Sequence, residues 1–343
     1  MRVFTTLPQE NLRKVGSAAK AIEAAGYVGV TTQENKHDPF LSLAVAAAAT
    51  DRIELHTGIA IAFARSPMSV ANMGWDLAAS SSGRFTVGLG SQIRAHNERR
   101  FSVPWSAPAP RMREYVQSLR AIWTAWKGDG KLNYEGKHYR FTLMTPNFVP
   151  EPYDAPAPRV TIAAVGPAML KVAAEECDGV KLHVFCTRRY LEQSTLPVLA
   201  EGLAKSGRAR EQFEISGGGF VVTGKDDEAV QKLFDWVRYR VAFYGSTPAY
   251  WPVFEEHGLG DLGRKLNAMT KAGQWNEIAA EVSDDVVHLF AAVGRHDQIA
   301  KAIEGRFGGL VDSISASANS SKPADLPPDL LQDLARIPTL YRT

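Results

Sequence analysis

The stretch that decides the fold is 53-IELHTGIAIAFARSPMSVANMGWDLAASSSGRFTVGLG-90. It reads as a β-prone run, a loop holding Arg65-Ser66-Pro67, a helix, a serine-rich turn and a second β-prone run that ends on glycines. Strand, crossover helix and strand make one βαβ unit, the building block of parallel sheets and barrels. Both loops with unusual residues follow the carboxyl ends of their strands, the side on which parallel α/β proteins carry their chemistry.

The same rhythm extends in both directions. Segments 1–6, 27–31, 53–62, 84–89, 160–164, 179–184, 213–222 and 310–315 read as strands, the seventh weakened by Gly217 to Gly219. Between them, 11–25 carries an apolar stripe at Leu12, Val15, Ala19 and Ile22 closed by Gly26, a helix with a glycine stop. Further helices are predicted over 39–50, 68–80, 111–126, 188–205, 226–243 and 296–307. Eight alternations predict a (β/α)8 TIM barrel spanning 1–343 as one domain. Two insertions interrupt it, one near 130–150 with a hairpin in LNYEGKHYRF and one of short helices near 245–290.

Composition narrows the function classes. Of 343 residues 45% are hydrophobic and 22% charged, the balance of a globular enzyme. A net charge of +2 with scattered Lys and Arg offers no field for nucleic acid. The alanine-rich runs are too short to span a bilayer, and the N-terminal residues lack the apolar core of a signal peptide. Cys177 and Cys186 form no CxxC pair and no disulfide framework. A soluble cytoplasmic protein without membrane contact is the expectation. The eight histidines show no HxxxH or HxH spacing with carboxylates, so no metal site is expected.

Four segments carry candidate chemistry. In TTQENKHDPF, Glu34 and Asn35 stand at the end of the second strand, while Asp38-Pro39 suits the cap and first turn of a helix. In GLGSQIRAHNERRF, Gly88 and Gly90 permit close backbone approach, and Gln92, His96 and Asn97 follow. In VTIAAVGPAML, the amides near Ala164, Val165, Gly166, Ala168 and Met169 cluster at a helix N-terminus, where the dipole favours a phosphate. Pro167 has no amide to give and fits the first turn. In HVFCT, His183 can act as acid or base, or can be a packed, backbone-bonded histidine.

The pattern TG-I-x5-RSP followed by DLAASSSGRFTVGLG resembles the luciferase-like monooxygenase superfamily, with the likeness running from Met1 to about Ile314. The Gly-Pro turn, the YEGKHY hairpin and the LGSQIRAHNERRFSVPW and LMTP segments are most similar to its coenzyme F420-dependent oxidoreductase branch. The resemblance implies a barrel that binds a deazaflavin and passes hydride between it and a small organic substrate. It implies a non-prolyl cis peptide between Gly58 and Ile59, a bulge behind the ring. A trans glycine chosen for close backbone approach is the other reading of the same residues.

On the same basis Gly90, Gln92 and His96 contact the ring or its side chain, and the turn from Ala164 to Met169 holds the phosphate. Glu34, Asn35 and His183 handle the accompanying proton. The second-strand segment departs from the family pattern by offering Glu34-Asn35 with His37 two residues on, which leaves the donor open. Trp75, Trp105, Tyr250 and Trp251 are candidates to line an apolar substrate pocket. A homodimer through helices near 65–130 is implied as well. The alternatives are a reduced-flavin monooxygenase that binds FMN and a non-catalytic cofactor-binding protein.

Overall fold

The computed structural model describes residues 1–317 and 323–342. Eight parallel strands close a barrel: β1 (Arg2–Thr6), β2 (Gly29–Thr32), β3 (Glu54–Thr57), β4 (Phe85–Gly90), β5 (Arg159–Ala164), β6 (Gly179–Leu182), β7 (Glu214–Gly217) and β8 (Ser313–Ser315). Each pairs with the next, and β1 closes the ring on β8 through the register Arg2↔Ser313, Val3↔Ile314 and Phe4↔Ser315. The (β/α)8 expectation is met.

The helices start and stop where their residues dictate. Asn11 caps α1 (Leu12–Ala25) by accepting the Arg13 amide, and Gly26 ends it at φ 97°. Asp38 accepts the amides of Phe40 and Leu41 at the start of α2 (Leu41–Ala49). Ser66 caps α3 (Pro67–Ser80), with Pro67 in its first turn. The long α4 (Pro108–Trp126) buries Met112, Tyr115, Leu119, Ile122 and Trp123 against the barrel. Next come α5 (Pro167–Glu176) and α6 (Leu196–Lys205), the latter preceded by a π-helical turn at Leu191–Thr195.

Glycines inside the strands set what fills the barrel. A Cβ on Gly29 would lie 2.1 Å from the Phe4 ring, and one on Gly179 would lie 2.6 Å from the Glu214 carbonyl oxygen. With β2 and β6 bare at these points, side chains two strands apart meet across the interior. Arg2 of β1 thereby reaches both Glu54 of β3 and Glu214 of β7, and Arg159 of β5 also reaches Glu214. Burial opposes ionisation of Glu54, yet bonds from His56 and Arg2 hold its carboxyl down at about 2. Tyr341, near the end of the chain, lies against Arg2 and Arg159 with their guanidinium carbons 5.3 and 4.8 Å from its ring centre.

One predicted strand divides. Segment 213–222 was expected to run through the barrel, but β7 stops at Gly217 and the chain turns out through Gly217, Gly218 and Gly219, with φ of 88°, 92° and 159°. Strand Phe220–Gly224 then pairs in parallel with Ala291–Arg295 in a separate two-stranded sheet. The reason is conformational: successive positive φ values break the pleat, and only glycine takes them cheaply. The strand at Ala291–Arg295 lies just beyond the segment read as an insertion of short helices. The insertion's helices do appear, at Trp251–Glu255, Gly260–Lys271 and Asp284–Phe290. With α7 (Asp227–Gly245) they enclose a second core around Phe234, Val241, Phe254, Leu266 and Phe290. The hairpin near 130–150 is present as Tyr134–Glu135 paired with Arg140–Phe141.

Candidate active site at the barrel mouth

The carboxyl ends of the strands open into a cleft of about 880 Å³. That volume accommodates a cofactor-sized ligand, within the range of about 300–1,000 Å³ usual for ligand sites. Its walls bring together most of the residues singled out in the sequence. Gly58, Ile59, Gly90, Gln92, the whole run from Ala164 to Met169, and His183 all line it.

The third-strand loop is held from both sides. The peptide between Gly58 and Ile59 is cis. The Gly58 amide donates to the Thr32 carbonyl at 2.6 Å, and the Glu34 amide donates to the Ile59 carbonyl at 3.2 Å. The Ile59 side chain projects towards β4, where a Cβ on Gly90 would come within 2.6 Å of its Cδ1. Gly90 therefore makes room for Ile59. Gly88 has a similar task, because a Cβ there would meet the Thr57 carbonyl oxygen at 1.9 Å.

Glu34 does not line the cleft. Its buried carboxylate accepts the Ile61 amide at 2.6 Å and Arg65 Nη1 at 2.6 and 2.8 Å, while Arg65 Nη2 donates to Asp38 at 2.8 Å. This side chain ties the loop after β2 to the loop after β3, with its lone pairs committed. Asn35 is exposed, donating to Gln33 and accepting from Arg100 through its carbonyl. Of the three residues expected to handle a proton, His183 alone reaches the cleft.

His183 lies against Tyr250 with ring centres 4.7 Å apart and edge-on to Tyr244 at 4.5 Å. Its Nδ1 accepts the Phe185 amide at 3.1 Å, which leaves the ring proton on Nε2. Burial, assisted by the nearby Arg240 guanidinium, lowers its pKa to about 4. At neutral pH it is thus an uncharged hydrogen-bond donor. Tyr250 is pushed up to about 12 by burial and by Tyr244, so it too stays protonated.

The Gly-Pro turn forms as the sequence predicts. Gly166 sits at the N-cap of α5 with φ −92° and ψ 162°, Pro167 follows, and no side chain caps this end. Space is open in front of Gly166, where a Cβ would touch nothing within 4 Å. A second cleft of about 760 Å³ adjoins this turn, sharing Val165, Gly166, Pro167 and Ala249 and adding Arg189, Tyr190 and Ser194.

Other expectations resolve differently. Gln92 adopts a left-handed φ of 55° and folds its side-chain oxygen onto the Ile93 amide. His96 is on the short helix Arg94–Arg99 and does not line the cleft; its buried Nδ1 has no hydrogen-bond partner among the described residues. Trp75 is buried between helices, donating to the Glu151 carbonyl and packing on Trp126 and Tyr153. Trp251 donates to the Gly245 carbonyl, and neither it nor Trp105 lines the cleft, whereas Tyr250 does. Cys186 is buried and its thiol is pushed up to about 12, which disfavours a nucleophile.

Among the residues that face the cleft and that sequence reasoning passed over are Tyr244 and Lys181. Period-two alternation offered a signal for Lys181. It stands two residues before His183, which directly follows β6, so period-two alternation points both side chains the same way.

A sequence profile of the luciferase-like monooxygenase family matches residues 2–313. The chain belongs to that family. An uncharacterized protein of Mycobacterium tuberculosis is 49% identical over 314 residues, 92% of each chain. A 5,10-methylenetetrahydromethanopterin reductase of Archaeoglobus fulgidus is 28% identical over 285 residues, covering 81% of this chain and 80% of its own. Among solved structures, the coenzyme F420-dependent tetrahydromethanopterin reductase of Methanopyrus kandleri superposes with a TM-score of 0.74 at 19% identity, covering 98% of this chain and 97% of its own. The protein is an oxidoreductase of the luciferase-like class. No described helix is long and apolar enough to cross a membrane.

Proposed function

We propose that the protein is a coenzyme F420-dependent oxidoreductase acting on a small organic substrate held in the mouth of the barrel. The observation that carries this reading is an uncapped helix N-terminus at Gly166–Met169 opening onto a largely apolar cleft backed by Ile59. Its relatives support the choice of cofactor, since the Archaeoglobus reductase and the Methanopyrus structure belong to methanopterin chemistry and the latter is F420-dependent by name.

The residues fit such a group. The amides of Gly166 and Ala168 would hold its phosphate, because the first turn of a helix leaves donors without intrahelical partners, while the Met169 amide already turns back to the Gly166 carbonyl at 3.2 Å. Gly58 and Ile59 would support the ring from behind, and Gly90 beside them leaves room for the Ile59 side chain. Coenzyme F420, when bound, supplies two-electron hydride chemistry. The chain's part is to orient ligands and exclude water. His183 presents an Nε2–H donor at neutral pH, suited to polarising a substrate oxygen rather than to receiving a proton. Tyr244 and Tyr250 form an aromatic wall beside it for an apolar substrate body.

Titration of the purified protein with oxidised F420 and, separately, with FMN tests this. Saturable F420 binding and F420-linked turnover of a carbonyl or alcohol panel are expected. Tight FMN binding with oxygen consumption and no deazaflavin binding would replace this reading with the flavin monooxygenase one. F420 binding without turnover of any acceptor would point to a cofactor carrier.

A further inference from the structure

Lys181 is the single side chain with a formal charge among the described residues that line the cleft. Its strand register places it beside Ala163 of β5 and Ser216 of β7, on the inward face of β6. Gly88 on β4 makes space for it, since a Cβ there would stand 3.2 Å from Lys181 Cε. The ammonium lies 6.0 Å from the Phe4 ring centre, so the lysine extends into the barrel axis and forms part of the cleft floor.

The charges below it do not balance. Arg2, Arg159 and Lys181 face the carboxylates of Glu54 and Glu214. Glu54 bonds Arg2 and His56, and Glu214 bonds Arg2 and Arg159, so Lys181 has no ion pair among the described residues. His56 does not offset the excess, because burial keeps its ring from protonating. Burial lowers the pKa of the Lys181 ammonium below its ordinary value, with only a partial offset from Glu214, and an anion arriving from the cleft favours the charged form again.

We propose that Lys181 recognises an anionic oxygen on the molecule bound above it, and so determines which ligands the cleft accepts. Two sources share this chemistry. One is the pyrimidinedione edge of an isoalloxazine-type ring, which becomes electron-rich on two-electron reduction. The other is a carboxylate or enolate oxygen of the substrate. The first source rests on the cofactor reading above; the second does not.

The test uses Lys181→Met and Lys181→Arg, with Lys181→Gln in reserve should the methionine variant fail to fold, each checked against wild type by circular dichroism and thermal melting. In one arm, dissociation constants are measured for oxidised and reduced F420, with FMN in parallel. If the ring is the source, K181M weakens the reduced form at least tenfold more than the oxidised form. A tenfold difference lowers the potential of the bound couple by about 30 mV. K181R retains most of the preference.

In the other arm, benzoate and uncharged benzamide are titrated into cofactor-free protein. If a substrate anion is the source, K181M loses benzoate affinity more than tenfold, benzamide is unaffected, and K181R recovers binding. A folded variant without the ammonium that changes neither arm overturns the proposal, as does a wild-type protein that binds neither cofactor nor benzoate. A wild type that binds benzoate through Lys181 but neither cofactor sinks the cofactor reading and leaves this inference standing.

Discussion

At the scale of single residues, the environment of each side chain decides what its chemistry can be. Glu34 has the right type and the right strand end for a proton donor, yet Arg65 and the Ile61 amide occupy its oxygens. His183 keeps its place at the cleft, but burial changes it from a titrating group into a fixed donor. A pH dependence of stability follows. The unfolded histidine protonates near pH 6.5 and the folded one near 4. Between these values the unfolded state binds more protons, so stability rises with pH across the window and falls on acidification. The slope attributable to this residue is at most about 1.4 kcal/mol per pH unit. Urea denaturation of wild type and His183→Gln at pH 7, 5.5 and 4.5 should show a flatter profile in the variant. An unchanged acid slope would contradict the assignment. The same lowered pKa predicts that the pH–rate profile between 6 and 8 carries no inflection from His183.

At the scale of elements, the strand glycines tell the barrel how to pack. Gly88 and Gly90 differ in what a methyl group would strike: the Thr57 backbone oxygen at 1.9 Å in the first case, the flexible end of Ile59 at 2.6 Å in the second. Backbone cannot step aside, whereas a side-chain tip can. Gly88→Ala should therefore cost more than about 3 kcal/mol, and Gly90→Ala about 1–2 kcal/mol, by the usual penalties of overpacking. Because Ile59 would be pushed into the cleft, the second substitution should also weaken cofactor binding. Thermal melts and cofactor titrations of the two variants provide the check. Equal stability losses would mean that the local obstacles are misjudged. The sequence displayed these glycines plainly, and the βαβ rhythm around them, because buried parallel strands leave near-continuous apolar runs. It displayed the Gly-Pro turn as well, a local motif whose geometry follows from Pro167. The departure of the chain after β7 was visible only as a weakness at Gly217 to Gly219. Nothing local says with which strand the following residues pair.

At the scale of the whole molecule, the barrel is a polar interior closed at one end and open at the other. Tyr341 covers Arg2 and Arg159 at the closed end, and Asp312 accepts the amides of Leu340 and Tyr341 to hold that segment in place. Tyr341→Ala should cost about 1–3 kcal/mol, from two partly desolvated cation–π contacts and lost packing. Tyr341→Phe should stay within about 0.5 kcal/mol of wild type, since the ring does the covering. Denaturant titration of both variants decides this. A phenylalanine variant as weak as the alanine one would mean that the hydroxyl, not the ring, matters. The residues concerned come from both ends of the chain and from β5, so the arrangement had no signature in any local stretch.

The bulge at Gly58-Ile59 was implied by the family resemblance; by itself the sequence determined the alternation of strands and helices, the approximate bounds of the main barrel helices and the Gly-Pro turn. The features read from the residues themselves rest on periodicity, capping and backbone freedom, which act over a few residues. Only the tertiary structure decided that Glu34 is engaged by Arg65, that His183 is a neutral donor, that Lys181 stands on the cleft floor with no ion pair among the described residues and that the chain leaves the barrel after β7. Those outcomes depend on burial and on charges supplied by distant strands. Electrostatic pairing and desolvation are properties of the closed barrel, and no segment carries them alone.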